Sequence, residues 1–331
     1  MQTRRVAPAD AVAAADDGAS ARRIGTPTAN TAGSCPPGMR SAVIVEGMSE
    51  ERDPRRSVML AAFEGWNDAC QSATNVIRHL LGRYEAREIR HISCDGYYDY
   101  QVSRPMLCRV TGRPRIIWPQ TTFYEIALAP DLRIYAQLAP EPNYRWREYC
   151  RQSLHIADEF DVDRIVTLGS MYADCPHTRP LPIDVSHDLD ECGRSCDCGA
   201  NDGEDGYSGP VGIPTVLDDM AREQSFDTTS MWVSIPQYTG NDDCAPATLA
   251  LLRRLGEEIG FDFDEGDLPS LADAWKAKAS MLLRCSDQLA DYVHHLEREW
   301  DRAEAARKAA SADPTQAERL VREAEDFLKG L

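Results

Sequence analysis

SVMLAAFEGWNDA, residues 57–69, is the stretch that decides the fold. Ser57–Phe63 is a continuous apolar run of strand length, which is what a strand covered on both faces of a parallel sheet requires. Glu64-Gly65-Trp66 reads as the turn after it, and Asn67 or Asp68 stands where a helix cap belongs. Ala69, Ala73, Val76, Ile77, Leu80 and Leu81 then recur at the spacing of one helical face, with Gly82 as the expected stop. A further apolar strand is expected near Glu88–Ser93, completing a strand–helix–strand crossover in a parallel sheet.

Working outward, CRVTG and RIIWP are short, bounded by Gly and Pro, and predict a hairpin-like excursion. LRIYAQL, RIVTLGS, PLPIDVS and TTSMWVSIP predict further strands. Helices are expected from about Tyr144 to Glu159, from near Gly212 with Pro214 in its first turn, and over ATLALLRRLGEEIG. FDFDEGDLP (261–269) reads as an acidic linker. Beyond it the chain is almost wholly helix-forming, and Leu271, Trp275, Ala279, Leu282 and Leu289 make a stripe suited to packing on the core or on another subunit. The pattern predicts an α/β fold on a mostly parallel central sheet, with a C-terminal helical extension. Three parts are expected: a disordered tail over 1–55, poor in large apolar residues; an α/β core over 56–260; and a helical extension over 261–331.

Composition narrows the function. The 331 residues carry a net charge of −18. Such a chain repels phosphate backbones and anionic lipid, and no basic stripe longer than a few residues offsets this, so nucleic acid is not an expected partner. No apolar run approaches the ~20 residues of a membrane span, and no signal-peptide pattern opens the sequence; a cytoplasmic protein is expected. The 11 cysteines mostly sit in apolar or mixed stretches and read as small core residues. Cys192, Cys196 and Cys198 differ, lying in the Gly/Asp-rich stretch DECGRSCDCGANDGEDG (190–206). They read as a surface insertion rather than a metal site, since a zinc site usually pairs two separated knuckles.

Several residues are candidates for function, each with a structural alternative. Glu64 and Asp68 close the first strand, where α/β proteins place ligands, and are either caps or functional carboxylates. DGYYDYQVSRP (95–105) gathers Tyr98, Tyr100 and Arg104; EPNYRWR (141–147) adds Arg145 and Trp146. Aromatic–Arg loops anchor interfaces and also line small-molecule pockets. DCPHTRP (174–180) offers Asp174, His177 and Arg179, an acid/base pair or a hydrogen-bonded loop. No GxSxG elbow, HExxH, Walker loop or dinucleotide glycine fingerprint is present, so no cofactor is expected.

FEGWNDA, DGYYDYQVSRP, EP-x-x-RWR, LGSMYADCPHTRP, YSGPVGIPTVL and SMWVSIPQY…PATLALL, taken in order, resemble the proteasome assembly chaperone family in its stand-alone actinobacterial-type branch. The likeness spans about Ser57 to Ala310. It implies a three-layer α/β fold similar to that of nucleoside phosphorylases, with a helical C-terminal part. It also implies a non-enzymatic role in ring assembly of proteasome subunits, self-association (a trimer being the implied state), and proteasome-like subunits as partners. No catalytic set is carried over by the resemblance. The alternative is a phosphorylase- or hydrolase-like enzyme acting on a small nucleoside-like ligand, with Glu64, Asp68, Arg104, His177 and Arg179 converging in one pocket.

Overall fold

The computed structural model describes residues 56–93, 95–110, 112–187 and 208–312. The tail of residues 1–55, the insertion carrying Cys192, Cys196 and Cys198, and the residues after 312 lie outside the described residues. The strands are β1 (Arg56–Glu64), β2 (Ala86–Ile92), β3 (Met106–Val110), β4 (Arg113–Ile117), β5 (Thr121–Ala129), β6 (Leu132–Pro140), β7 (Arg164–Ala173), β8 (Ile183–Ser186) and β9 (Asp227–Pro236). The helices are α1 (Ser72–Arg83), α2 (Trp146–Glu159), α3 (Ile213–Glu223), α4 (Ala245–Ile259), α5 (Leu268–Leu283) and α6 (Asp287–Ala312).

Seven strands form one sheet in the order β2-β5-β6-β1-β7-β9-β8, and β3 pairs with β4 as a separate hairpin. The central four, β6, β1, β7 and β9, are mutually parallel. β2, β5 and β8 join by antiparallel pairing. Side chains alternate across a strand. In β1, Val58, Leu60 and Ala62 therefore meet α1, α4 and α5 on one face. Met59, Ala61 and Phe63 meet α2 and α3 on the other. This is the three-layer arrangement that the resemblance implies, and β1 at its centre is covered on both faces as its apolar run requires.

Three local expectations are corrected. β2 runs in the same direction as β1, but β6 and β5 lie between them and β2 pairs antiparallel with β5. The crossover exists, yet it spans two strands contributed from later in the chain. Gly82 does not stop α1, which closes one residue on, where the Tyr84 N–H still donates to the Leu80 carbonyl. The C-terminal helical stretch breaks at Arg284–Ser286, where the Ser286 hydroxyl accepts from the Leu289 N–H and opens α6. The buried side of α5 is Leu268, Ala272 and Ala279, with Trp275 half-buried against α4's cluster. Leu271 and Leu282, placed on the apolar stripe, stand exposed.

Candidate functional site

The carboxyl ends of the parallel strands bring the β1 turn, the end of β6 and the start of α3 together. Gly65 takes φ +111°, open only to glycine, and lets the chain turn so that Asn67 and Asp68 point inward. Both are buried, whereas Trp66 between Gly65 and Asn67 is 65% exposed. Asp68 is the cap: one carboxylate oxygen accepts from the Ala73 N–H at 2.8 Å and the Thr74 N–H at 3.3 Å, the other from the Thr74 hydroxyl. The Ser170 hydroxyl of β7 also donates to Asp68, at 3.3 Å. Burial pushes the Asp68 pKa up, and these donors pull the other way. Between cap and helix, Cys70 and Gln71 both sit in the left-handed region at φ 52° and 54°. Cys70 behaves as a small core residue, its thiol pushed up by burial.

Asn67 makes the second link. Its Nδ2 donates to Glu141 Oε1 at 2.8 Å, and the same oxygen accepts from the Ile213 N–H at 3.0 Å, the first helical residue of α3. Gly212 packs flat on the Asn67 amide; a Cβ there would lie 1.7 Å from Oδ1. Glu141 thus satisfies a helix start that has only glycine at its cap position. Glu64 turns outward, half-exposed, and pairs with Arg78 of α1.

The two aromatic–Arg loops meet beside this node. The Tyr97 carbonyl accepts from the Asn143 and Tyr144 N–H groups, and the Tyr144 hydroxyl donates to Asp99 at 3.0 Å. The Arg145 guanidinium lies 5.8 Å from the Tyr97 ring centre and pairs with Glu148. Trp146 Nε1 donates to the Pro142 carbonyl. Tyr100 donates to Asp95 at 2.8 Å and meets Trp118 edge-on. Tyr98 differs from the others. It is 5% exposed, its hydroxyl within 3.2 Å of Thr121 and donating to the Pro140 carbonyl, so it belongs to the core rather than to a surface anchor. Tyr144 takes its place at the surface, 51% exposed.

His177 and Arg179 lie elsewhere, where α5 and α6 dock on the loop after β7. His177 is 1% exposed. Tyr238 Oη accepts from the His177 backbone N–H and lies 2.8 Å from Nδ1, while Nε2 is 3.1 Å from the Ser280 hydroxyl of α5. Burial lowers the His177 pKa, against a smaller opposing pull from Glu297. Arg179 grips Asp301 of α6 through two hydrogen bonds of 2.8 and 2.9 Å. Asp174 accepts from Tyr292 and from Gln237.

The five candidate catalytic residues are therefore not assembled into one site. Glu64 and Asp68 serve the start of α1, and His177 and Arg179 fasten the C-terminal helices. Arg104 is exposed just before β3, and no hydrogen bond or ion pair joins it to the other four. A groove of about 520 Å³ opens at the amino ends of β7 and β9, lined by Arg151, His155, Asp158, Asp161, Gln224 and Phe226 among others, and none of the five lines it. Sequence reasoning missed Glu141 as the α3 acceptor and Ser170 as a second donor to Asp68. The pointer to Glu141 is Gly212 itself: a helix beginning Gly-Ile-Pro has no side chain of its own to cap it. Among the described residues no group of three or more His, Cys, Asp or Glu side chains is placed to hold a metal. None of the described helices is long and apolar enough to cross a membrane.

Comparison with known proteins places these features in a family. No curated protein matches the chain. Among solved structures, a proteasome-assembly chaperone homologue from Mycobacterium tuberculosis is 33% identical, covering 71% of this chain and 99% of its own, with a TM-score of 0.63. A PAC2 family protein from Streptomyces avermitilis is also 33% identical, over 72% of this chain and 99% of its own, at TM-score 0.62. A Mycobacterium tuberculosis protein of unknown function, 20% identical over 78% of this chain and 86% of its own, shares the fold at TM-score 0.67. The PAC2 family model matches residues 62–283, from the last residues of β1 to the end of α5. With the family model matching two thirds of its residues and two solved relatives 33% identical over nearly their whole length, the chain belongs to the PAC2 family.

Proposed function

We propose that this protein is an assembly chaperone or scaffold that binds protein subunits, proteasome-type subunits foremost, and works in the cytoplasm as a homo-oligomer. The observation that carries the reading is at the carboxyl edge of the sheet. There Glu64, Asp68, His177 and Arg179 are engaged in internal bonds, while Trp66, Tyr144, Arg145 and Arg147 are exposed on the neighbouring loops. Large aromatic and Arg side chains with ordered backbones are the composition of interface anchors. The likeness to a proteasome-assembly chaperone homologue supports the choice of partner.

The test uses purified proteasome α-type and β-type subunits and the full chain. Wild type should retain one of them, and Tyr144→Ala with Arg145→Ala should weaken retention by about 30-fold, the cost of losing ~2 kcal/mol at an anchor. Failure of wild type to bind either subunit, together with turnover of a nucleoside substrate that is lost in Glu64→Gln or His177→Asn, would replace this reading with the enzymatic one.

A further inference from the structure

Among the described residues, the β3–β4 hairpin carries a cluster of exposed large apolar side chains. Met106 lies opposite Ile117 and Leu107 opposite Ile116. Directly opposed residues share a face and successive ones alternate, so each face of the ribbon presents one apolar pair. Those four residues with Val102 and Trp118 are between 48% and 71% exposed. Taking ~200 Å² for a bare large side chain, they present on the order of 600 Å² of apolar surface, at the upper end for a monomer. Among the described residues the hairpin has two strands only, and an isolated pair of strands is marginal in water. Its root is held by the Tyr100–Trp118 contact.

Charge identifies what covers it. Residues 101–124 contain Arg104, Arg109, Arg113 and Arg115 and no carboxylate, in a chain whose net charge is −18. All four arginines are exposed. The remainder of the chain is thus still more acidic, and repels nucleic acid while complementing the hairpin. Two hairpins packed on each other would oppose their arginines, and like charges across an interface are costly. We infer that the hairpin of one copy docks against a different, acidic surface of a second copy. Such a head-to-tail contact generates a closed ring when its rotation closes. The inference rests on the self-association in the reading above and assigns it a surface.

Sedimentation of the full chain at micromolar concentration tests it, with wild type, the triple variant Arg109→Glu, Arg113→Glu, Arg115→Glu, and the double variant Leu107→Ser, Ile116→Ser. Wild type should run as a multiple of 36.9 kDa and lose mass as salt rises from ~50 to ~500 mM, where exposed charges are screened. Both variants should melt with wild type, since the changed side chains are exposed, and both should raise the dissociation constant about tenfold or more. Variants that keep the wild-type mass would overturn the hairpin assignment and leave self-association standing. A monomeric wild type would overturn both. Variants of unchanged mass that no longer retain a proteasome-type subunit would assign the hairpin to that partner and overturn the inference. A wild-type oligomer indifferent to salt would remove the charge argument without recourse to any variant.

Discussion

Replacing Asp68 by Ala removes the acceptor of four donors at once: two N–H groups in the first turn of α1, the Thr74 hydroxyl and the Ser170 hydroxyl. The hydroxyls have alternatives, since Thr74 Oγ1 also reaches the Gln71 carbonyl at 3.3 Å and Ser170 Oγ the Ala69 carbonyl at 2.9 Å. The backbone donors have none among these contacts. Loss of the cap costs ~0.5–2 kcal/mol, and a further buried donor left without an acceptor ~1–3 kcal/mol. Relief of a buried carboxyl group offsets part of this, giving an expected loss of about 1–4 kcal/mol. For a fold of this size that is a fall in Tm of roughly 2–16 °C. Asp68→Asn keeps one acceptor oxygen and should cost about half as much. Urea unfolding followed by tryptophan fluorescence measures both. An Asp68→Ala variant within ~0.5 kcal/mol of wild type, or more stable than it, would refute the capping role and point to a carboxylate held in place for function.

Gly212→Ala should cost about 2–4 kcal/mol in the same assay, because the new methyl displaces the Asn67 amide and breaks its bond to Glu141; a neutral result would mean the loop gives way freely. His177 predicts a pH dependence. Its folded pKa lies below the ordinary 6.5, so stability is flat above that value, where the ring is neutral in both states. As pH falls below it the unfolded chain takes up a proton that the folded chain resists, and stability falls until the folded pKa is passed. The slope between about pH 7 and 5 should shrink in His177→Gln, and equal slopes would exclude His177 as its source. Trp66→Ala should leave stability within ~0.5 kcal/mol of wild type, as the indole is mostly exposed; a larger loss would show that the ring is packed in solution.

Legibility followed the range of the interactions. β1, α1, the β3–β4 hairpin and α4 are written in local periodicity and turn residues, and they stand where the pattern places them to within a residue or two at their ends. Thr121–Ala129 carried no strand reading. Its first residues are Thr121 and Thr122, both buried, and its Glu125 is buried against Arg87 and Arg133, so the strand has no clean alternation. β2 is an edge strand rich in Arg and Glu, and its neighbours are fixed by pairing rather than by order in the chain. In the site, the tyrosine-rich and RWR loops were legible as a pair by their shared composition. The Asn67–Glu141–Ile213 node was not, because its members are 72 and 74 residues apart. Tyr98 illustrates the limit of residue type alone: a tyrosine whose hydroxyl finds partners inside is as much a core residue as a phenylalanine.

The interposed strands have a consequence for synthesis. A chain made from the amino end completes β1, α1 and β2 while β5 and β6, the two strands that separate β2 from β1, do not yet exist. With β5, its one main-sheet partner among the described residues, absent, β2 has no strand to pair with until about 40 further residues have been added, and the arginine-bearing hairpin emerges in that interval. The growing chain thus passes through a stage in which a bare strand and an apolar ribbon are displayed together. The charges of Arg87, Glu88 and Arg90 on that strand are the kind of side chains that keep such an edge from joining a neighbouring nascent chain. The order of pairing in the finished sheet is, in this sense, also a record of when during translation the molecule is most exposed to wrong partners.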